Sequence, residues 1–537
     1  MKAQSSQGMS ADISERISLE RPPASDAFIS IVLAPDKENV SVAKTAFARW
    51  IILSGLTLAV FMDALNGTIF SIARPQIMGA VSATPDEVSW INLGYLIAKV
   101  AFLLAAAWLV DRFGETPNLF WSVSLVAMAS IPCAMNVELE AFVFARVAQG
   151  AAGAVLLVSA QAILFRLFRK QQQGVIQAFY ALGVVMAPTT LAPAVQGWFT
   201  DQFSWTWTFW LNLLICAVVM LFLIPYRSCL PRTSRKCPQF DWIGFMLIGL
   251  AAASLVYVCL EGPRWNWFDD GHILLWTSIG LGALALVIFW RVLGQNRSQI
   301  FERQVFTNAQ FAFGFLVSFI AGFALFGSAF LFPAFALGVL RMPPQDAGFL
   351  LLPSSLSVGS GLLAAGALVT WKNVNPFKFV PLGVVLVMTA MWMLSWSSLE
   401  SGGHDLWLGL LLRGFGLGFL FLAVTLIALD RLNNRHLASG IGLFNFGRQM
   451  GGIIGISFLS TYLNNQVALN RRILIENINP ANLPFRERQG ILAQALQNHG
   501  LNPGSVVEGT ATLIQKTIQA QVAALSFNEA FFSLVLL

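Results

Sequence analysis

Between residues 50 and 463 the chain passes through one apolar stretch after another, each about twenty residues long, with short polar turns between them. A helix needs about 20 apolar residues to cross the hydrocarbon core of a bilayer. Candidate spans fall near 50–73, 88–110, 118–137, 141–163, 174–196, 205–225, 242–261, 272–292, 310–334, 346–369, 377–397, 405–428 and 438–463. A further apolar segment starts near 526. Ser526–Leu537 offers only about a dozen residues, too few to cross, so this last helix is expected to be incomplete. The fold class implied is an all-α integral membrane protein.

Composition agrees. Hydrophobic residues make up 56% of the chain and charged ones 11%, where a soluble domain carries about 25% charged residues. The net charge of +6 sits in short loops, so it reports membrane topology and no nucleic-acid partner. Cys133, Cys216 and Cys259 lie in apolar segments, and Cys229 and Cys237 share one loop, so no disulfide framework is expected. No zinc-type spacing, Walker-A loop or dinucleotide glycine pattern occurs, and no nucleophile–base arrangement stands out. Neither catalytic residues nor a metal site are expected.

The basic residues also orient the chain. One set of loops holds Arg112, Arg166, Arg169, Lys170, Arg227, Arg232, Arg235, Lys236, Arg291, Arg297, Arg303, Lys372, Lys378, Arg431 and Arg435. The alternate short loops hold only Arg74, Arg264 and Arg341. The positive-inside rule then places the first set, and the N-terminus, in the cytoplasm. The expected organisation is a disordered cytoplasmic tail over 1–46, a six-helix unit over 47–225, a linker with two additional helices over 226–307, and a C-terminal unit over 308–537. The last contains an external polar loop at 464–525 with helical patches such as Gly509–Leu525.

Ionisable groups inside the apolar segments are few: Asp63, Lys99, Arg146, Arg413 and Arg448. A carboxylate at the centre of a membrane helix costs about 2.5–3.5 kcal/mol, so such a residue faces a bundle interior or cavity and serves substrate or ion movement by default. Asp63 is accordingly the candidate proton-coupling group. Arg stays charged at any relevant pH, and a Lys titrates usefully only after a large depression. Lys99 reads equally as a counter-ion of Asp63 or a substrate contact.

The halves echo one another. Phe102–Asp111 resembles Gly361–Thr370, and Arg146 with Gly150 and Gly153 resembles Arg413 with Gly414, Gly416 and Gly418. Each echo pairs segments of the same orientation, as in parallel repeats related by an axis along the membrane normal.

Motifs sharpen this. Leu109-Val-Asp111-Arg112-Phe-Gly114 resembles the loop motif between helices 2 and 3 of the major facilitator superfamily, with Ala107 for its first Gly and Glu115-Thr116 for its Arg-Lys pair. Arg146-Val-Ala-Gln149-Gly150 resembles the helix-4 pattern. Gly183, Pro188, Pro193 and Gly197 occupy the place of the helix-5 antiporter motif, with Ala192 and Gln196 departing from it. Trp205-Thr-Trp207-Thr-Phe209-Trp-Leu-Asn212, Phe240-Asp241-Trp242-Ile-Gly244, Trp267-Phe-Asp269 and Asn445-Phe-Gly447-Arg448 resemble the fourteen-helix drug/proton antiporters of the EmrB/QacA type. That family has an Asp where this chain has Asn66 in Leu65-Asn66-Gly67-Thr68-Ile69. Asp63 lies three residues earlier on the same helical face, so the site is either moved by about one turn or altered in chemistry.

The resemblance implies a major facilitator fold of two six-helix bundles with two extra helices between them. It implies a proton-coupled antiporter of the bacterial inner membrane, exporting small hydrophobic or amphipathic compounds with no cofactor beyond the proton gradient. Asn66, Thr68, Lys99 and Arg413 are the expected substrate-cavity residues, and Asp111, Arg112 and Gly114 the expected gate. A periplasmic adaptor and an outer-membrane channel are the partners it implies besides substrate and lipid. An importer or facilitator of a specific metabolite or siderophore is the alternative, followed by a scaffold or sensor that transports nothing.

Overall fold

The computed structural model describes residues 46–135, 138–232, 240–293, 303–430, 432–476, 483–498 and 502–536. Among these residues the regular structure is entirely helical. The first part of the chain forms α1 (Ala46–Ala80), α2 (Pro85–Phe113), α3 (Glu115–Ala134) and α4 (Leu139–Leu167). Then α5 (Gln173–Ala181) runs through a π-helical stretch, Leu182–Leu191, into α6 (Ala192–Gln202). Next come α7 (Trp207–Leu223), α8 (Trp242–Glu261) and α9 (Gly271–Leu293). The second part holds α10 (Ala309–Gly338), α11 (Pro344–Leu350), α12 (Leu352–Lys372), α13 (Phe379–Leu394) and α14 (Gly403–Leu429). It ends with α15 (Leu437–Glu476), α16 (Leu483–Asn498) and α17 (Pro503–Leu536).

Eleven of these helices are long and apolar enough to cross a membrane, and the bent pair α5–α6 makes twelve. Large apolar side chains such as Leu274, Leu281, Ile288 and Phe289 on α9 are more than half exposed or close to it. That is expensive in water and natural against lipid.

Local chemistry fixes several ends. Thr84 caps α2 reciprocally with Glu87: the Glu87 amide donates to Thr84 Oγ1 at 3.3 Å and the Thr84 amide to Glu87 Oε2 at 2.8 Å. Gly114 joins α2 to α3 at φ 90°, a backbone state that only glycine adopts cheaply. Asn118 Nδ2 closes the same turn, donating to the carbonyls of Leu109 at 2.7 Å and Gly114 at 2.8 Å.

The core is divided. One cluster draws only on the first part of the chain, with Ile52, Leu56, Leu119, Leu156, Ile176 and Val219. Another draws only on the second, with Leu331, Phe335, Met391, Leu410 and Phe531. Between them lies a seam that mixes both, with Leu103, Ala154, Leu362, Leu420 and Phe444. Helix α8 spans the edge of that seam: Ala252 and Val256 pack with Leu93 and Val100 of α2 and with Met450 and Ile453 of α15.

The C-terminal end departs from the sequence expectation. Helix α15 does not stop near 463 but runs for 40 residues from Leu437 to Glu476. The apolar end after residue 526 is no isolated stub, because it finishes a 34-residue helix, α17. Phe527 and Phe531 stack edge-on against Phe335 within the second core. Asn470 of α15 donates to Ser526 Oγ and Glu529 Oε2 of α17, both at 3.1 Å. Polar residues at one end of each helix lower its mean hydropathy, yet nothing breaks the helical backbone.

Candidate functional site

A polar network lies buried where α1, α2 and α4 meet. Asp63 on α1 is 3% exposed. Its Oδ2 accepts from Lys99 Nζ at 2.7 Å, and its Oδ1 accepts from Tyr95 Oη at 2.9 Å. Lys99 Nζ also lies 3.0 Å from Tyr95 Oη, to which it donates. Tyr95 and Lys99 are four residues apart on α2, so one helical face presents both to Asp63. Every member of this triad is therefore paired, as buried polar groups must be.

Helix α4 makes the approach possible. A side chain on Gly150 would strike the Tyr95 backbone, and one on Gly153 would strike the Asp63 carboxylate. The small residues of the helix-4 pattern thus admit α1 and α2 at close range. Arg146 lies on the same helix. It donates to the Asn66 carbonyl at 2.7 Å and to Gln149 Oε1 at 2.8 Å, and its guanidinium stands 4.3 Å from the Tyr95 ring centre. Gln149 in turn donates to Ser130 Oγ at 3.0 Å.

Two motifs explain each other across the bundle. Asn212, which ends the Trp-rich signature on α7, donates to Asn66 Oδ1 at 2.6 Å. Gln196, the departure from the helix-5 pattern, donates to the Leu65 carbonyl at 2.6 Å, and its Oε1 lies 3.0 Å from Thr68 Oγ1. Asn212 thus ties back to α1 at Asn66 itself, and Gln196 on either side of it.

A cavity of about 280 Å³ opens beside the network, in the seam between the two parts of the chain. Asp63, Thr68, Tyr95, Lys99, Gly183 and Pro188 line it from one side, and Phe326, Phe330, Asn445, Arg448, Gln449 and Ile453 from the other. Gly183 also lets the π-helical stretch lie against the backbone of α1 at Thr57. Pro193 lies in the first turn of α6, and Gly197 has open space around it. Departures from α-helical geometry recur at functional sites.

Of the expected cavity residues, Thr68 and Lys99 are in the wall. Asn66 is buried behind it against Asn212. Arg413 is elsewhere, donating to Ser328 Oγ and Ser354 Oγ at 3.0 Å each. Its Nη2 has no acceptor among the described residues. Tyr95, Asn445 and Gln161 went unread as site residues. Asn445 Nδ2 donates to Gln161 Oε1 at 3.1 Å, joining α15 to α4 across the seam. A Tyr or a Gln in a membrane helix carries no spacing signal, and the motif that holds Asn445 does not name its partner, so the packing alone reveals these contacts.

The loop motif sits at the end of the bundle that carries the basic loops. Glu115, fully buried, forms an ion pair with Arg166 of α4, whose Nη2 donates to the Asn434 carbonyl at 3.3 Å. Lys170 Nζ donates to the Asp430 carbonyl at 3.2 Å, and the Val175 amide to Thr370 Oγ1 at 3.1 Å. Asp111, Arg112 and Gly114 therefore stand beside a set of contacts that join the two parts of the chain at this end. Glu115, in the place of the expected Arg, holds Arg166, the donor of one of these contacts.

Comparison with known proteins agrees with this geometry. The sequence profile of the Major Facilitator Superfamily matches residues 56–456. The multidrug export protein EmrB of Escherichia coli K12 is 26% identical over 469 residues, covering 83% of this chain and 89% of EmrB. The colistin resistance protein EmrB of Acinetobacter baumannii is 24% identical over 493 residues, covering 91% and 93%. Among solved structures, the human organic anion transporter MFSD10 (TETRAN) superposes with a TM-score of 0.54 at 15% identity, covering 77% of this chain and 93% of that one. A profile match over most of the chain, with a cavity between its two parts, leads to one conclusion: the chain belongs to the Major Facilitator Superfamily, as a multi-pass membrane transporter and not an enzyme.

Proposed function

We propose that the chain is a proton-coupled antiporter of the bacterial inner membrane that exports small hydrophobic or amphipathic compounds. It is built as two six-helix bundles, α1–α7 and α10–α17, with α8 and α9 between them. The N-terminus and the basic loops face the cytoplasm, from the Lys/Arg asymmetry. An adaptor and outer-membrane channel belong to the same proposal, on resemblance alone.

The observation that carries it is the Asp63–Lys99 pair in the wall of the seam cavity. Coupling needs a group that takes a proton from one side and gives it to the other. Asp63 is the one carboxylate among the residues lining the seam cavity, and Lys99 and Tyr95 both donate to it. Protonation of Asp63 removes the ionic link between α1 and α2 and leaves Lys99 with Tyr95 alone. The export named for the Escherichia coli relative supports the outward direction.

The experiment uses everted vesicles from an efflux-deficient host with and without the full chain. A lumen-acid gradient is imposed, and a panel of apolar fluorescent compounds is followed. Accumulation that depends on the chain and collapses with a protonophore is expected. Movement only when the gradient is reversed would replace the export reading with import.

A further inference from the structure

Arg448 stands in the wall of the seam cavity opposite Asp63 and Lys99, and the transport reading does not use it. It is 9% exposed and makes one hydrogen bond among the described residues, from Nη2 to Asn445 Oδ1 at 2.5 Å. Its guanidinium stands 5.8 Å from the Phe421 ring centre. No carboxylate among the described residues forms an ion pair with it. Lys99 is different, because Asp63 already neutralises it. Asn445 is held by Gln161 through its amide nitrogen, which fixes the oxygen that Arg448 uses. The guanidinium is thus oriented but not neutralised.

The charged groups in the cavity wall are two cations and one carboxylate. With Asp63 ionised they leave one positive charge in a largely apolar space. A buried charge is costly until a partner arrives. An arriving anion supplies that partner, while a cation adds a second charge of the same sign. Free N–H groups of a guanidinium match the two oxygens of a carboxylate or sulfonate. Phe326, Phe330 and Ile453 give the apolar surface on which the body of such a molecule would lie. The volume, about 280 Å³, is at the lower edge of small-molecule pockets.

We infer that Arg448 is a specificity-determining residue that receives a single anionic group of the substrate, so that the preferred cargo is a small monoanionic amphiphile. This rests on the transporter reading but is separable from it, since it concerns binding without a gradient.

The test uses the full-length protein in detergent and three probes of one shape: 2-naphthoate, 2-naphthamide and 2-naphthylmethylammonium. Binding is measured by calorimetry at neutral pH. Wild type is expected to bind the acid at least tenfold more tightly than the amide, and the ammonium most weakly. Arg448→Gln should bring the acid down to the level of the amide and leave the amide within twofold. Arg448→Lys, which keeps the charge and loses the fork, should retain part of the preference. A melting curve for each variant separates misfolding from lost recognition, and the Lys variant carries the test if the Gln variant fails to fold. Equal binding of acid and amide by wild type, absence of binding by all three probes, or an acid preference that survives Arg448→Gln overturns the inference. An acid preference without gradient-driven flux would sink the antiport proposal alone, and flux without the preference would sink this inference alone.

Discussion

Arg146 on α4 and Arg413 on α14 occupy matching points of the sequence echo, and the structure gives them different surroundings. Each begins a run of small residues against which a neighbouring helix packs closely. Gly150 and Gly153 admit Tyr95 and Asp63, and Gly414 and Gly418 admit Ser354, Ser357 and the backbone of Val358. The packing device is shared. The electrostatics are not: Arg146 backs an Asp–Lys–Tyr triad, whereas Arg413 ends on two serine hydroxyls. Duplicated architecture therefore preserves close helix contact, while the one carboxylate among the residues lining the seam cavity comes from the first part of the chain. On the antiport proposal, that difference assigns proton handling to the first part of the chain.

The largest expected effect tests the shared part. Gly150→Leu and Gly418→Leu each drive a side chain into backbone, at Tyr95 and at Val358 and Leu362 respectively. Overpacking costs about 1–3 kcal/mol and more where backbone is the obstacle. Both variants should lose the monodisperse peak in detergent size exclusion. Tolerance of one and not the other would mean that the echo is not a shared packing device.

A smaller effect tests the unshared part. Arg146→Ala strands the Gln149 oxygen and removes the cation from the Tyr95 face, with each unsatisfied buried group costing about 1–3 kcal/mol. Arg413→Ala leaves Ser328 Oγ with the Ala324 carbonyl, to which it donates at 2.5 Å, and strands only the Ser354 hydroxyl. Arg146→Ala should lower the melting temperature by several degrees more than Arg413→Ala. Equal losses would remove the asymmetry.

The mildest pair touches single hydroxyls. Tyr95→Phe takes away the group between Asp63 Oδ1 and Lys99 at a stability cost of about 1 kcal/mol, and Ser354→Ala removes one partner of Arg413. Melting temperatures should change little and alike. Gradient-driven transport should fall about tenfold in Tyr95→Phe and less than twofold in Ser354→Ala, and a similar fall in both would detach Tyr95 from coupling.

Much of this is legible in the sequence. Long apolar runs name the spans because a bilayer admits few alternatives. Asp63 and Lys99 stand out because charge in such a run is rare. Their pairing is long-range and could be read only as one of two options. Asn212 closed a recognisable signature, yet its partner Asn66 lies 146 residues away and follows from how α7 crosses α1. Asn66 and Arg413 were drawn into the cavity by sequence position, but the turn of each helix aims them elsewhere. The helices α15 and α17 extend through polar sequence because backbone hydrogen bonding continues where hydropathy fades, and a hydropathy argument ends too early there.

The most direct test of the central claim is substrate-triggered proton flux in proteoliposomes, using a compound that a susceptibility panel identifies. Wild type, Asp63→Asn and Arg413→Gln are compared at equal insertion. Asp63→Asn should insert and bind compound yet move no protons, and Arg413→Gln should retain most of the flux. Full proton flux in Asp63→Asn, or its loss in Arg413→Gln with Asp63 intact and the protein folded, would contradict the assignment of coupling to the first bundle.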